Sequence, residues 1–340
     1  MHLPQPRGPL TTGLFDALGR AVPPELPAVP SRIEVPGDPL GDEDLQLALW
    51  TCYELHYRGF DGVPDSWEWH PRLIELRRTL ERALLEQLRR EVLVPGGDLP
   101  VAQRLWALVD ADGGPQLSRY LQKRATPEQF LEFAVHRSLY QLKEADPHSW
   151  AIPRLRGRAK AALIEIQIDE YGGGREQHMH SELYRTLLRG LGLSDEYGHY
   201  LDAVPAITLA ISNVMSLFGL NRELRGALVG HLAAYEMTSS APCRRYGKAV
   251  RRLFGAEAPA EFFDVHVTAD ALHEQLAAHD LCGGLAADEP GLAEDIVFGA
   301  AACLHVDGRF ARHVLDRWGA RQPSLRSPVV PARSPVVAAS

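Results

Sequence analysis

Apolar residues recur at helical spacing through nearly all of the chain between its two ends. Steps of three and four residues place apolar side chains on one face of an α-helix, whereas a half-buried strand would alternate apolar and polar residues. The sequence contains no alternating stretch that is bounded by turn residues. The pattern therefore predicts an all-α fold.

Several helix boundaries are marked by capping residues and prolines. Thr126 can accept a backbone N–H as an N-cap, Pro127 suits the first helical position, and Gln129 completes a capping box. Pro147 disfavours the helical conformation of the residue before it, so we expect this helix to continue to about residue 146. The stretch 203–220 is the most apolar, but polar residues interrupt it, which predicts a buried helix and not a membrane span.

The two ends differ in composition from the middle of the chain. Proline and glycine are frequent before residue 40, and the last twenty residues repeat Ser-Pro-Val-Val. We therefore expect a poorly ordered N-terminus at 1–40 and a disordered tail at 321–340. Between them we predict N-terminal helices at 41–124, packed on a functional core at 125–320.

The segment FFDVHVTADALHEQ carries three polar residues on a face that should be apolar. His266, Asp270 and His273 are spaced by four and then three residues, so on a helix they fall within an arc of roughly 60°. The residues a turn before and after them on this face are apolar. Because buried polar groups need partners, the segment predicts either a metal site or a hydrogen-bonded network.

Four polar residues on other predicted helices follow the same pattern. Glu144 lies near the end of the helix that begins at Thr126, and Glu170 ends the apolar stripe of the next helix. Three consecutive glycines separate Glu170 from His180, and we expect this break to let both side chains point inward. Glu236 follows two apolar residues on a later stripe.

The combined set of candidate ligands contains imidazoles and carboxylates but no thiolate. Its four carboxylates carry a charge that two divalent cations would cancel. Mixed nitrogen and oxygen donors suit non-haem iron or manganese, so we predict two iron ions, with manganese as the alternative. The candidate metal ligands are Glu144, Glu170, His180, Glu236, His266, Asp270 and His273.

These residues resemble the ligand pattern of the haem-oxygenase-like diiron oxidases and oxygenases. The C-terminal two thirds of the chain is also similar to the bacterial iron-containing redox enzymes of that superfamily, through EIQIDEYGGGREQHMHSELY, ALVGHLAAYEMTSS and FFDVHVTADALHEQ. In the family pattern one helix supplies a Glu, the next a Glu and a His ten residues later, a third a Glu, and a fourth His-x3-Asp-x2-His. The matching positions are Glu144, then Glu170 and His180, then Glu236, then His266, Asp270 and His273, with none substituted.

The resemblance implies a haem-oxygenase-like helical bundle with extra N-terminal helices, which binds two iron ions and not haem. It also implies activation of dioxygen to oxidise or oxygenate a small organic substrate, either amino-acid-like or fatty-acid-like, with an electron donor that the sequence does not identify. Tyr140, Tyr171 and Tyr235 flank candidate ligands, which makes them candidates for the pocket wall, although packing is the simpler role.

Composition excludes some classes of partner. The 44 acidic and 36 basic residues give a net charge of -8, and the absence of a long basic run argues against nucleic acid. Four widely spaced cysteines without a Cys-x-x-Cys pair fit reduced thiols. The N-terminal residues lack the pattern of a signal peptide, so we expect a cytoplasmic protein that does not bind membranes. A homodimer remains open.

Three alternatives compete with the diiron interpretation. A ferritin-like bundle would need two Glu-x-x-His pairs, but only Glu196 and His199 have this spacing, in a segment that resembles a loop. A metal-free enzyme on the same fold could use Cys243, whose neighbouring arginines would lower its pKa, although no partner base is evident. A helical binding module could hold the same polar residues in a buried hydrogen-bonded network.

Other acids and histidines are interpreted as structural. In the N-terminal part we expect solvated helix ends and packing. On the helix that ends at Glu170, two carboxylates lie on a different face from the apolar stripe, so we expect them to be solvated. One histidine lies about 140° from the stripe of Glu236 and is expected to be a surface or hydrogen-bonded residue. These residues are Glu54, His56, Glu68, His70, Glu165, Asp169 and His231.

Overall fold

The described part of the chain, residues 1–19 and 36–329 of a computed structural model, consists of helices joined by turns, with no strand among those residues. The prediction of an all-α fold is confirmed. Short 3₁₀ turns join several helices, and a π-helical stretch at Leu276–Cys282 continues α12 into α13. The helices are α1 (Pro9–Leu18), α2 (Glu43–Glu54), α3 (Pro71–Glu91), α4 (Val101–Asp110), α5 (Leu117–Lys123), α6 (Pro127–Gln141), α7 (Asp146–Ser149), α8 (Gly157–Glu170), α9 (His180–Gly190), α10 (Ala206–Leu220), α11 (Arg225–Phe254), α12 (Glu261–Gln275), α13 (Gly283–Asp288) and α14 (Ala293–Gly319).

Helix α6 begins where the sequence predicts but ends earlier. Thr126 Oγ1 accepts from the Gln129 N–H at 3.3 Å, and Gln129 Oε1 accepts from the Thr126 N–H at 3.1 Å, which confirms the capping box. The helix ends at Gln141, five residues before the predicted end. Tight turns follow, and Ala145 takes a left-handed φ of 69°. Glu144 therefore lies in a turn after α6 and not on the helix itself.

Helix α11 is the longest helix and packs along both α12 and α14. Two glycines allow its backbone to approach that of α14 closely. A Cβ on Gly230 would overlap the Ile296 carbonyl oxygen, and a Cβ on Gly299 would overlap the Ala227 carbonyl oxygen. A larger side chain at either position would push the two helices apart, which would also move the segments of α11 and α12 that carry candidate ligands.

Helix α10 confirms the buried helix predicted for the most apolar stretch. Two of its buried polar side chains bond to other helices and turns: Thr208 bonds His136 at 2.7 Å, and Ser216 bonds the Tyr57 hydroxyl at 3.1 Å. Asn213 donates to the Gln46 carbonyl oxygen of α2 at 2.8 Å, one of the contacts that join the N-terminal helices to the rest of the bundle. No helix in the described part of the chain combines the length and the apolar character needed to cross a membrane.

The first residues of the chain are attached to the bundle, which differs from the expectation of a poorly ordered segment at 1–40. Asp44 on α2 accepts from the backbone N–H groups of Leu10 and Thr11, each at 2.8 Å, and so caps α1. A proline-rich sequence can be ordered by such contacts even though its own propensity is low. Residues 20–35 lie outside the described residues.

The start of the predicted tail is also held by the bundle. Ser324 is buried, and its hydroxyl donates to Glu132 Oε2 at 2.6 Å. Leu325 is buried beside it. We expected a disordered tail at 321–340, but the first residues of this segment are packed on the bundle. Residues 330–340 lie outside the described part of the chain. The division of the chain between 41–124 and 125–320 stays a prediction.

Candidate metal centre

The three glycines after α8 bring Glu170 and His180 together. Gly172, Gly173 and Gly174 all have positive φ, between 62° and 77°, which L-residues rarely adopt. A Cβ on Gly172 would also overlap the backbone at His178. The chain turns sharply here, so that His180 at the start of α9 places Nδ1 3.0 Å from Glu170 Oε2. The expectation that the break turns both side chains inward agrees with this geometry.

Six of the seven predicted ligands lie in two buried groups that share one carboxylate. In each group, one candidate donor atom from every residue lies within 4.8 Å of the others. Glu170 belongs to both groups. The seventh predicted ligand, Asp270, is a residue of α12, but its side chain lies outside the described residues. The first group is Glu144, Glu170, His180 and His266, and the second is Glu170, Glu236 and His273.

The first group fits a metal ion because some of its donor atoms face one another without hydrogen bonding. Glu144 Oε2 and His180 Nδ1 are buried and have no hydrogen-bond partner in the described part of the chain. His180 Nδ1 is close to Glu170, but the direction of the contact does not satisfy a hydrogen bond, so we treat it as a close approach of charges. Unpaired buried donors are costly, and a cation between them would remove that cost.

His266 is oriented by its own helix. Its Nδ1 lies 2.7 Å from the Phe262 carbonyl oxygen, one turn earlier on α12. Because a carbonyl oxygen can only accept, the proton of this contact lies on Nδ1, and Nε2 is the nitrogen that could bind a metal ion. Nε2 lies 3.5 Å from Glu144 Oε1, which is too long for a strong hydrogen bond but suits two ligands of one ion.

His273 contacts two carboxylates. Its Nδ1 lies 3.2 Å from Glu236 Oε2, and its Nε2 lies 2.9 Å from Asp169 Oδ2. The sequence interpretation of Asp169 as a solvated residue is therefore incomplete, because its half-exposed side chain reaches His273. Helical periodicity could not reveal this contact, since it depends on how α8 and α12 lie against each other.

The charges of these groups stabilise one another. Burial by itself raises the pKa of Glu170, but His180, His266 and His273 lower it more strongly, to about 2. Burial by itself lowers the pKa of His273, but Glu236 and Asp169 raise it to about 9. Glu170 therefore stays ionised, and the His273 imidazole supplies part of the positive charge that a divalent cation would otherwise provide.

A cavity of about 340 Å³ adjoins the ligand groups. Glu144, Glu170, Glu236 and His266 form part of its wall, so a bound molecule would lie directly against them. Aromatic side chains supply much of the rest: Phe133, Tyr140, Tyr184, Tyr235, Tyr246 and Phe263. Tyr140 and Tyr235 thus line the cavity, in agreement with the pocket-wall interpretation. The third flanking tyrosine, Tyr171, instead donates its hydroxyl proton to Asp146 at 2.8 Å.

A buried histidine pair lies beside the cavity. His148, which lines it, places Nε2 3.2 Å from Nδ1 of His231, in agreement with the expectation of a hydrogen-bonded His231. Burial lowers the pKa of His148 to about 4, although Glu170 opposes this effect. His148 follows Pro147 in a short helix without an apolar stripe, so its inward position had no signal in the sequence.

The N-terminal acids and histidines form structural pairs. Glu54 is fully buried and accepts from Lys143 Nζ at 3.2 Å and from the Tyr197 hydroxyl at 2.6 Å. His56 lies 3.0 Å from Glu68 and is also buried. The expectation of solvated helix ends is wrong for Glu54 and His56, and the packing part of that interpretation holds.

Two of the alternatives can be compared with this geometry. Glu196 and His199, the one Glu-x-x-His pair, lie in turns between α9 and α10 with exposed side chains, so they do not form a bundle-core site. Cys243 is buried inside α11, where a thiol behaves as a small apolar residue. Neither residue belongs to the two ligand groups.

Comparison with known proteins agrees with this helical architecture. The sequence model of the iron-containing redox enzyme family matches residues 131–308, more than half of the chain. This chain belongs to the iron-containing redox enzyme family. Its fold is a haem-oxygenase-like helical bundle, and the resemblance predicted from the sequence is confirmed.

A curated protein is also similar to this family member. The nitrosourea synthase of Streptomyces achromogenes subsp. streptozoticus is 29% identical over 159 residues, which are 46% of this chain and 34% of that enzyme. The similarity thus spans about a third of the relative's length. Together, the two comparisons indicate that this iron-containing redox enzyme is an oxidoreductase that uses iron.

The region matched by the family contains all seven predicted ligands. It does not contain α1 to α5, nor the segment 112–118, most of whose residues line the cavity. In this family member the N-terminal part therefore contributes to the wall of a cavity whose candidate ligands all lie in the family region.

Proposed function

We propose that this iron-containing redox enzyme is a non-haem diiron oxidase or oxygenase that uses dioxygen to oxidise a small organic substrate, amino-acid-like or fatty-acid-like. The observation that supports this proposal is the membership of Glu170 in both buried ligand groups. A carboxylate has two oxygens, and one that lies between two sets of donors is suited to bridge two ions. Manganese would fit the same donor types.

Each ion would be held by donors from different helices. Two ferrous ions, when bound, would supply the electrons with which dioxygen is reduced. Asp270 stands between the two histidines of α12, and we propose it as a further ligand of the centre on the basis of its spacing alone. The first site would use Glu144, Glu170, His180 and His266, and the second Glu170, Glu236 and His273.

The residues around the ligands fix which atoms are available. The Phe262 carbonyl oxygen holds the Nδ1 proton of His266 and directs Nε2 toward Glu144. Asp169 would hold the Nε2 proton of His273 in the same way, which leaves Nδ1 on the side of Glu236. Such outer contacts set the tautomer and the orientation of the ring and raise its basicity.

The surroundings also limit the access of water. All six described ligand side chains are buried, and aromatic rings cover the cavity beside them. A substrate bound in this cavity would displace water from the ligand groups and would contact four of the ligand side chains. Exclusion of water strengthens the electrostatic interactions in the site and protects reactive species from side reactions.

The test is iron loading followed by exposure to oxygen. Protein prepared without oxygen is titrated with Fe(II), the bound iron is counted, and oxygen uptake is then recorded with an electrode. We expect about two iron ions per chain and oxygen uptake that requires them. Protein that binds no iron, or that binds iron and takes up no oxygen, would contradict the proposal. Glu165→Gln, which removes an exposed carboxylate of α8, is the matched control and should behave as the unmodified chain.

A further inference from the structure

The cavity beside the ligand groups has a second charged region. Arg137 and Asp307, which the proposed function does not use, line the same cavity as Glu144 and His266. Arg137 Nη1 donates to Asp307 Oδ1 at 3.3 Å. Arg137 lies on α6 and Glu144 in the turn that follows it, and both side chains line this one cavity. One molecule in the cavity could therefore contact both regions.

The guanidinium of Arg137 is held in position by its neighbours but keeps hydrogen-bond donors that a ligand could use. The ring of Phe310 lies 4.9 Å from its central carbon, and the ring of Phe133 lies 5.8 Å away, so aromatic faces fix its plane. Within the described part of the chain, its Nε and Nη2 groups donate to no protein acceptor. Neither atom is among the buried side-chain atoms without a partner, and the Arg137 side chain, which is 19% exposed, lines the cavity. The guanidinium can therefore donate hydrogen bonds to a second acceptor while it keeps its contact with Asp307.

The pair of opposite charges selects the kind of group that can bind. A carboxylate alone would gain hydrogen bonds from Arg137 but would meet the negative charge of Asp307. A carboxylate with an ammonium on the next carbon would satisfy both residues, because Arg137 donates to the acid and Asp307 accepts from the ammonium. A neutral pair of fixed charges thus favours a head group that is itself neutral overall.

We infer that Arg137 and Asp307 bind the α-carboxylate and α-ammonium of an amino acid, whose side chain extends along the aromatic wall to the ligand groups. This inference rests on the proposed function for the chemistry at the far end of the substrate. It selects the amino-acid-like class over the fatty-acid-like class. Arg137 and Asp307 are then substrate-binding residues, which decide what enters the cavity.

The cavity wall between the Arg137–Asp307 pair and the ligand groups could contact the side chain of such an amino acid. Tyr235 and Tyr246 line the cavity, and their hydroxyl groups make no hydrogen bond within the described part of the chain. The Tyr140 ring lies 5.7 Å from that of Tyr235 and also faces the cavity. An extended side chain would find apolar ring surface there, with hydroxyl groups available to any polar atom that it carries.

Binding of three probes of equal chain length tests the inference. The probes are 2-aminooctanoate, octanoate and octylamine, and calorimetry measures their affinity for the full-length chain with and without anaerobically bound Fe(II). We expect 2-aminooctanoate to bind at least about tenfold more tightly than either of the others. Arg137→Gln should weaken its binding by about tenfold or more. Asp307→Asn should weaken 2-aminooctanoate but strengthen octanoate, because it removes the negative charge beside Arg137.

Controls separate recognition from folding. Arg312→Gln removes an exposed arginine of α14 and should leave all three affinities unchanged. Arg137→Lys keeps the charge and should retain part of the selectivity if folding is intact by circular dichroism. The inference is overturned if octanoate binds as tightly as 2-aminooctanoate and Asp307→Asn leaves their ratio unchanged, or if no probe binds more tightly than about 1 mM.

The outcomes also separate this inference from the proposed function. Normal iron loading without selectivity for 2-aminooctanoate would overturn the head-group site and leave the diiron proposal standing. Selectivity for 2-aminooctanoate that depends on Arg137 and Asp307, in a chain that takes up no iron, would support the head-group site and contradict the diiron proposal.

Discussion

At the scale of single residues, the two histidines of α12 contact different groups. His266 Nδ1 contacts a backbone carbonyl oxygen, and its Nε2 lies 3.5 Å from Glu144. His273 has a carboxylate at each nitrogen, with Glu236 on one side and Asp169 on the other. Binding of an ion at His273 must therefore displace one of these contacts.

Replacement of His273 by Ala should remove at least one iron site. The second ligand group loses its only imidazole among the described residues, and two carboxylates do not replace a histidine in its affinity for ferrous iron. Iron bound after anaerobic loading should fall from about two to one or fewer per chain, while circular dichroism shows nearly unchanged helix. His199→Ala, at an exposed loop histidine, serves as the control. Unchanged iron stoichiometry in His273→Ala would reject the assignment of His273 as a ligand.

Asp169→Asn tests the outer contact of His273. The amide cannot hold the Nε2 proton as a carboxylate does, so the ring loses orientation and basicity. We expect iron affinity to fall by about tenfold or more, as measured by competition with a chelator, with little change in the number of ions bound at saturation. Glu165→Gln on the same helix should show no such loss. Equal affinities in the two variants would mean that Asp169 is only a surface neighbour.

At the scale of helices and turns, the N-terminal helix α2 supports the turn that carries Glu144. Glu54, at the end of α2, accepts from Lys143, the residue before Glu144. Lys143 is enclosed by aromatic rings, with Nζ 4.2 Å from the centre of the Tyr57 ring. Arg58 also donates to the Leu142 carbonyl oxygen at 3.1 Å. The turn after α6 is thus held from a part of the chain that lies outside the region matched by the family.

Lys143→Met should destabilise the protein strongly. It leaves Glu54 as a buried charge without its cation, and breaking one side of a buried pair costs about 3 to 5 kcal/mol of unfolding free energy. Denaturant unfolding measures this loss, and iron binding should weaken as well because the Glu144 turn loses a support. The double variant Glu54→Gln, Lys143→Met should regain part of the stability, whereas Lys248→Met on the exposed side of α11 should cost little. Equal stabilities of the single and double variants would show that the pair is not coupled.

The helices differ in how far the sequence could predict them. The capping box at Thr126 and the glycines after Glu170 depend on local backbone chemistry, and both appear in the structure as expected. The end of α6 could not be predicted from its own residues, because the turn after Gln141 is held by Glu54, at the end of α2, and by Arg58, in the turn after α2. The burial of Glu54 was missed for the same reason, since its partner is 89 residues away in the chain.

At the scale of the whole molecule, the candidate centre joins α8, α9, α11, α12 and the turn after α6. Periodicity selected residues that are buried on four of these helices, since each stripe is a property of one helix. Glu144 is also buried, but it lies in a turn that helical periodicity does not describe. It could not supply the contacts that depend on how helices lie against one another, such as Asp169 with His273 or Arg137 with Asp307. The assignment of the seven residues as ligands remains a prediction.

A centre built from so many segments should couple metal binding to global stability. An ion that binds only the folded chain raises the free energy of unfolding by about 2.7 kcal/mol when its concentration is 100 times its Kd. We therefore expect anaerobic Fe(II) to raise the Tm by several degrees and a chelator to reverse the rise. The measurement is thermal unfolding followed by circular dichroism. A Tm that is the same with and without Fe(II) would indicate that the ion does not link these helices.

The most direct test of the central claim is anomalous diffraction at the iron edge from crystals prepared anaerobically with Fe(II). We predict two anomalous peaks within the bundle, one among Glu144, His180 and His266 and one between Glu236 and His273. The Glu170 carboxylate should lie between the two peaks. A single peak, or peaks located away from these side chains, would contradict the claim that the two buried ligand groups form one diiron centre.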